Sequence, residues 1–213
     1  MEKYSHIIWD FNGTLYNDVD VCITCANRLL SAHGLKKIDD VNAYRALFGF
    51  PVIEYYRRMG FDFEKTPYSE LAVEWVAYYL EESHNAALFP ACHDVLSAIR
   101  ARGVKQLILS ATELEMLEKQ VLGLGIRPYF DELLGLTDIH AHSKAEIGLY
   151  WKAQHPDAIP LLIGDTDHDA AVAAAMGIDC ILVSAGHQNR ETLQACKPLR
   201  LINSIEEILH FLR

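Results

Sequence analysis

The feature that most restricts the fold is a set of four short apolar runs, each closing on a polar residue. They are His6-Ile7-Ile8-Trp9 into Asp10, Leu107-Ile108-Leu109 into Ser110, Leu161-Leu162-Ile163-Gly164 into Asp165, and Cys180-Ile181-Leu182-Val183 into Ser184. Runs without polar alternation, rich in leucine and β-branched residues, are what strands buried on both faces look like. A fifth, Leu199 to Ile202, fits near the end. Helical patterns separate them: Asp94 to Arg102 before the second run, Leu114 to Leu122 after it, and Asp167 to Met176 after the third, with Gly177 as its stop. This alternation predicts an α/β fold, a doubly wound parallel sheet covered by helices on both faces. Ligands bind such sheets beyond the carboxyl ends of the strands, where Asp10, Ser110 and Asp165 all fall. One polar residue at a strand end is an ordinary turn residue, but three in this order point to a site.

About 95 residues lie between the first two runs, too many for one crossover. Within them Val19 to Leu30, Val41 to Phe48, Val52 to Met59 and Tyr68 to Leu80 read as helices, punctuated by Gly49-Phe50-Pro51 and Gly60-Phe61. The expected organisation is therefore a core of residues 1–16 and 85–213 with an all-helical insertion, 17–84, folded over the strand ends.

Charge narrows the function. Lys and Arg number 19 against 29 Asp and Glu, a net charge of −10. So acidic a chain is a poor partner for nucleic acid, and it would repel an anionic substrate unless a cation reverses the field locally. No segment reaches the roughly 20 apolar residues that span a bilayer, and the charged N-terminus runs straight into a strand rather than reading as a signal peptide. Five cysteines without framework spacing suit a reducing cytoplasm. Cys22 and Cys25 form a C-x-x-C, but within a helical pattern and without a second metal-ligand pair, so they read as helix packing.

Asp10-Phe11-Asn12-Gly13-Thr14-Leu15 resembles the first motif of the haloacid-dehalogenase superfamily, D-x-D-G-T-[LV] in its phosphatases. Ser110 stands where the second motif's Ser/Thr does, and Lys144 where the third motif's lysine does. Gly164-Asp165-Thr166-Asp167-His168-Asp169 matches the G-D-x-x-x-D of the fourth. The four motifs and the helical insertion, which sits where the family's cap sits, extend the resemblance over the whole chain, closest to phosphoglycolate-phosphatase-like members.

The resemblance implies a Mg²⁺-dependent phosphatase acting on a small phosphorylated metabolite. Asp10 is then the nucleophile. Asp10, Asp165 and the backbone carbonyl of Asn12 are the implied metal ligands, with Asp169 orienting metal-bound water or Lys144. The residue types suit the chemistry, because attack of a carboxylate on a phosphoryl group requires its negative oxygens to be offset, and magnesium prefers oxygen ligands. Ser110 is expected to donate to a phosphate oxygen, with the N–H of Ala111 at a following helix N-terminus. Lys144, in the first turn of a helix capped by Ser143, opposes the macrodipole and reads as a fixed cation neutralising the carboxylate cluster.

One position departs from the pattern. The family's second Asp of the first motif serves as general acid and then base, and here it is Asn12, whose amide donates a hydrogen bond but exchanges no proton. Slow turnover, another acid such as His168, a leaving group that needs none, and a long-lived phosphoenzyme all stay open. So do a phosphotransferase and a weakly catalytic phosphate- or metabolite-binding protein. The dehalogenase branch uses no metal and fits Asp165 and Asp169 less well. Arg45 and Tyr55 are candidates to reach a substrate anion, and His187 to line the site's edge. His140 and His142 resemble a ligand pair without a third member. Trp75, Tyr78 and Tyr79 read as the packed face of a cap helix.

Overall fold

The computed structural model of the protein describes residues 3–136 and 143–211. The strands are β1 (His6–Trp9), β2 (Tyr16–Asn17), β3 (Ala87–Leu88), β4 (Lys105–Glu113), β5 (Glu132–Leu136), β6 (Pro160–Gly164), β7 (Asp179–Val183) and β8 (Arg200–Ile202). Six of them form one sheet in the order β5-β4-β1-β6-β7-β8, and every neighbouring pair is parallel. The chain turns back on either side of β1, which puts the switch point, and the crevice it creates, at the carboxyl end of that strand.

The apolar runs are buried on both faces, as their lack of alternation requires. Ile7, Trp9, Ile108, Leu161, Ile163, Ile181 and Val183 enter one core cluster, whereas Ile8, Leu107, Leu109, Leu162 and Leu182 enter the other. Helices α5 (Cys92–Arg100) and α6 (Leu114–Gly123) supply the first cluster through Val95, Leu96, Ile99, Leu117 and Val121. Helices α7 (Lys144–Gln154) and α8 (Asp167–Met176) supply the second through Trp151, Val172 and Met176. In register, Trp9 stands opposite Ile108 on one side and Ile163 on the other. Asp10, Ser110 and Asp165 therefore emerge together at one edge.

Four α-helices lie between β2 and β3: α1 (Val19–Ala32), α2 (Val41–Leu47), α3 (Val52–Arg58) and α4 (Tyr68–Glu82). Asp40 caps α2 by accepting from the N–H groups of Asn42 and Ala43, both at 2.8 Å. These helices bury an apolar cluster of their own, centred on Cys25, Leu29, Leu30, Tyr44, Tyr56 and Leu71. The chain enters and leaves this cap through an antiparallel ribbon, Tyr16 opposite Leu88 and Asn17 opposite Ala87. The ribbon and β5 carry no periodic signal of their own in the sequence. Cys22 and Cys25 are buried among apolar neighbours, as helix packing requires, and the described cysteines are all free. His140 and His142 lie outside the described residues.

Candidate active site

Asp10 leaves β1 with its N–H bonded to the Ile163 carbonyl at 2.8 Å. The chain then turns at Gly13, whose φ of +74° is left-handed. A Cβ there would sit 2.3 Å from Asp165 Oδ2, so only glycine lets the first loop approach β6 so closely. Thr14 follows, its hydroxyl 3.1 Å from both Asp10 Oδ2 and Asp165 Oδ1. One short loop thus ties two carboxylates from neighbouring strands.

Lys144 is not a surface lysine. It is 4% exposed, and its Nζ donates to Asp10 Oδ1 at 2.5 Å and to Asp169 Oδ1 at 2.6 Å. A capping box between Ser143 and Glu146 starts α7 at Lys144 and so sets where the ammonium points. Asp169 combines two roles. Its Oδ2 accepts from the Thr166 hydroxyl and N–H and caps α8, while its Oδ1 holds Lys144.

The electrostatics follow from burial. Burial pushes the Asp10 carboxyl well above the usual range, with Lys144 pulling the other way and Asp169 and Asp165 adding to the rise. Asp165 is pushed up to about 6, mainly by burial. Burial acts on Asp169 too, but Lys144 and the Thr166 donors outweigh it and hold that carboxyl low. Lys144 stays protonated because Asp10 and Asp169 more than offset its burial. Three buried carboxylates thus bring one oxygen each within 4.8 Å of the others, and Lys144 bonds two of them, Asp10 and Asp169. An excess of buried oxygen charge of this kind fits a hard divalent cation.

Ser110 is buried, and its Oγ donates to Thr112 Oγ1 at 3.0 Å while accepting the Thr112 N–H at 3.0 Å. Ala111 stands elsewhere than expected. β4 continues to Glu113, and α6 begins only at Leu114 with Glu113 as its cap, so the Ala111 N–H belongs to a strand end rather than a helix N-terminus. Thr112 next to it links the second strand to the first loop by donating to Asn12 Oδ1 at 2.9 Å.

The Asn12 amide nitrogen donates to Asp18 Oδ2 at 2.8 Å and to the Tyr79 hydroxyl at 2.9 Å. Asp18 also accepts from the Tyr79 hydroxyl, the Gly13 N–H and His187. Burial alone would raise the Asp18 carboxyl, but His187 foremost, with Asn12 and Tyr79, holds it low. His187 is pushed up to about 9: burial works against its charge, and Asp18 overrides it. Its other ring nitrogen lies 2.9 Å from the Tyr44 hydroxyl, and its backbone N–H donates to Asp165 Oδ2 at 2.6 Å. Asp18, Cys22 and His187 offer ligand atoms close enough for a metal, but the Asp18 oxygens already accept several donors.

A cavity of about 280 Å³ joins these groups to the cap, with Asp10, Ser110, Ala111, Thr112 and Lys144 on its lower wall. Arg45 is not on its lining. Its guanidinium donates to the Gly186 and Ala185 carbonyls at 2.8 and 2.5 Å, tying α2 to the loop after β7, so it holds that loop instead of reaching a substrate anion. His168 lines the cavity and stacks on Phe50, with ring centroids 4.5 Å apart.

A family model described as haloacid dehalogenase-like hydrolase matches residues 7–183. The chain belongs to the haloacid dehalogenase-like hydrolases. Among curated members it is similar to a phosphoglycolate phosphatase of Synechococcus elongatus, 26% identical over 205 residues, covering 95% of this chain and 94% of the relative. It is also similar to a probable phosphatase of Dickeya dadantii, 23% identical over 211 residues, covering 95% and 91%. A haloacid dehalogenase-like hydrolase of Streptococcus pneumoniae has the same fold, with a TM-score of 0.84 at 22% identity over the whole of both chains.

Within this hydrolase the structure adds residues that sequence reasoning passed over. Asp18 looks like an ordinary residue ahead of a helix, and Thr112 like a loop residue. Trp75 and Tyr79 read as packing yet line the cavity, whereas Tyr78 turns away to Glu74 and Arg28. Only their arrival from distant segments marks the first four.

Proposed function

We propose that the protein is a Mg²⁺-dependent phosphatase that hydrolyses a small phosphate monoester by way of an aspartyl phosphate on Asp10. The observation that carries this reading is the Asp10 carboxylate itself. It is buried at 8% exposure on the cavity wall, one oxygen held by Lys144 and the other by Thr14. Two fixed donors orient the carboxylate for attack and limit its freedom before reaction. Asp10, Asp165 and the Asn12 carbonyl would hold the magnesium, with Asp169 behind them. When bound, the ion supplies positive charge to the transferring phosphoryl oxygens. Ser110 lies where its hydroxyl can turn from Thr112 to a phosphoryl oxygen. Lys144 offsets the charge of Asp10 before transfer and of the phosphoryl group after it. The cap keeps bulk water from the reacting atoms. We place the protein in the cytoplasm, working on a phosphorylated metabolite rather than on nucleic acid or at a membrane, a reading supported by its acidity and its free cysteines. No helix among the described residues is long and apolar enough to cross a membrane.

The test is phosphate release with and without Mg²⁺, beside intact-mass detection of a phosphorylated enzyme. Asp10→Asn should lose both signals, and chelation should stop turnover reversibly. Undiminished hydrolysis by Asp10→Asn, or turnover of haloacids, would remove the reading. A second reading is favoured by one observation: every polar atom of the Asn12 side chain is already engaged with Asp18, Tyr79 or Thr112. A site so arranged could retain its phosphoryl group or pass it to another acceptor, as a phosphotransferase or a phosphate-binding protein. Phosphoenzyme that persists through many turnover times of a comparable phosphatase would favour that reading.

A further inference from the structure

The cavity has two unlike halves. Its lower wall carries the carboxylates Asp10, Asp18 and Asp165 with Lys144 and His187, while its upper wall, from the cap, is almost wholly aromatic. Among the described residues, Lys144 and His187 are the lining groups that carry positive charge, and both already face carboxylates. The cap's arginines are directed elsewhere. Arg45 bonds to the Ala185 and Gly186 carbonyls, Arg58 to the Leu47 carbonyl, Arg28 to Glu81 and Arg57 to Glu54. A substrate carboxylate would find no spare cation here and would lose its hydration beside Asp18, which is costly.

A ring would find the reverse. An apolar cavity of about 150 Å³ accepts benzene, so about 280 Å³ holds one ring system together with a phosphoryl group. Aromatic walls favour aromatic guests in offset or edge-to-face contact. On the upper wall the hydroxyls of Tyr44 and Tyr79 are bonded to His187 and Asp18, but that of Tyr55 is not. Tyr55 is 4% exposed, and its buried hydroxyl has no hydrogen-bond partner among the described residues, a state that costs stability unless a ligand supplies an acceptor.

Resting on the phosphatase reading for the phosphoryl end, we propose that the organic part of the substrate is an uncharged aromatic group. It is held by Phe48, Phe50, Tyr56, Trp75 and Tyr79, and the Tyr55 hydroxyl donates to a polar acceptor on it. Small carboxylate-bearing phosphates such as phosphoglycolate are then poor ligands, although a phosphoglycolate phosphatase is among the relatives.

Isothermal titration with benzylphosphonate and phosphonoacetate in Mg²⁺ reads this without turnover. Benzylphosphonate should bind about 100-fold tighter, the scale set by burying one ring. Equal or tighter binding of phosphonoacetate overturns the assignment. Val52→Lys, which adds a cation to the lining, should narrow that preference at least about 10-fold, and an unchanged preference would count against the reading. Tyr55→Phe should weaken 4-acetylbenzylphosphonate about 10-fold, and full affinity in that variant removes Tyr55 from the proposal. Turnover of benzyl phosphate and phosphoglycolate, which both release a primary alkoxide, separates the two layers. If neither ester is hydrolysed while the phosphonate preference holds, the phosphatase reading fails and the ligand class stands.

Discussion

Asn12→Asp is the most informative single change, because the structure sets both its cost and its gain. The amide nitrogen it replaces stands 2.8 Å from Asp18 Oδ2. Two ionised carboxylates at that spacing repel by about 6 kcal/mol at an effective dielectric near 20. That exceeds what keeping one proton on the pair costs at neutral pH, since each pKa unit is worth about 1.4 kcal/mol. His187 relieves part of the repulsion, but it already pairs with Asp18. The introduced carboxyl and Asp18 should therefore share a proton, as close carboxylate pairs do. A proton-bearing group then lies where Asn12 offers none, next to the loop that carries Asp10. General acid–base help is typically worth about 100- to 10,000-fold, so turnover should rise about 100-fold. The gain should be largest on alkyl esters, whose leaving groups need protonation most. Rapid mixing with an aryl phosphate should show a burst in the natural protein, because hydrolysis of the phosphoenzyme limits it, and no burst in the variant. If the natural protein turns over without a burst and the variant is no faster, another residue is already acting as acid and base, and His168 becomes the first to replace.

Other changes test the remaining supports. Lys144→Met removes the cation shared by Asp10 and Asp169 and should destabilise the metal-free protein by about 3–5 kcal/mol, read by urea unfolding; an effect under 1 kcal/mol would mean the pair is not buried as described. His187 carries a raised pKa, about 9 against 6.5, so its contribution is complete below pH 6.5 and is lost as pH rises toward 9, because the native state then binds more protons than the unfolded one. Stability in chelator should fall by up to about 3 kcal/mol over that window, and His187→Gln should flatten the profile; an unchanged slope in the variant would assign the fall elsewhere. Gly186→Ala would put a Cβ 2.1 Å from Asp165 Oδ2 and should raise the Mg²⁺ concentration for half-maximal activity at least about 10-fold, while unaltered metal dependence would mean that the loop yields freely.

The sheet and the cap were legible in the sequence because burial leaves a periodic trace. Strands buried on both faces must be apolar at every position, and cap helices that bury one side must repeat it every three to four residues. Asp10, Lys144, Asp165 and Asp169 stand at places the sequence marks for a related reason: each lies where a strand closes or a helix opens, so local signals fix its position. The β2–β3 ribbon was not legible, since two-residue strands have no period to show. Nor was the length of β4, whose run Ser110 to Glu113 is polar enough to read as a turn and stays in the sheet only through its pairing with β5.

What the sequence determined, then, is whatever depends on neighbours along the chain: the layers, the strand ends and the carboxylates that crown them. Tertiary structure alone decided the contacts between segments far apart. It turned Arg45 to the carbonyls after β7, brought Asp18 and His187 together across 169 positions, and set Tyr79 against Asn12 across 67. Such contacts leave no local pattern because their partners are chosen by how the cap closes on the sheet. The charge of a group like His187 is likewise set by what burial removes and Asp18 restores.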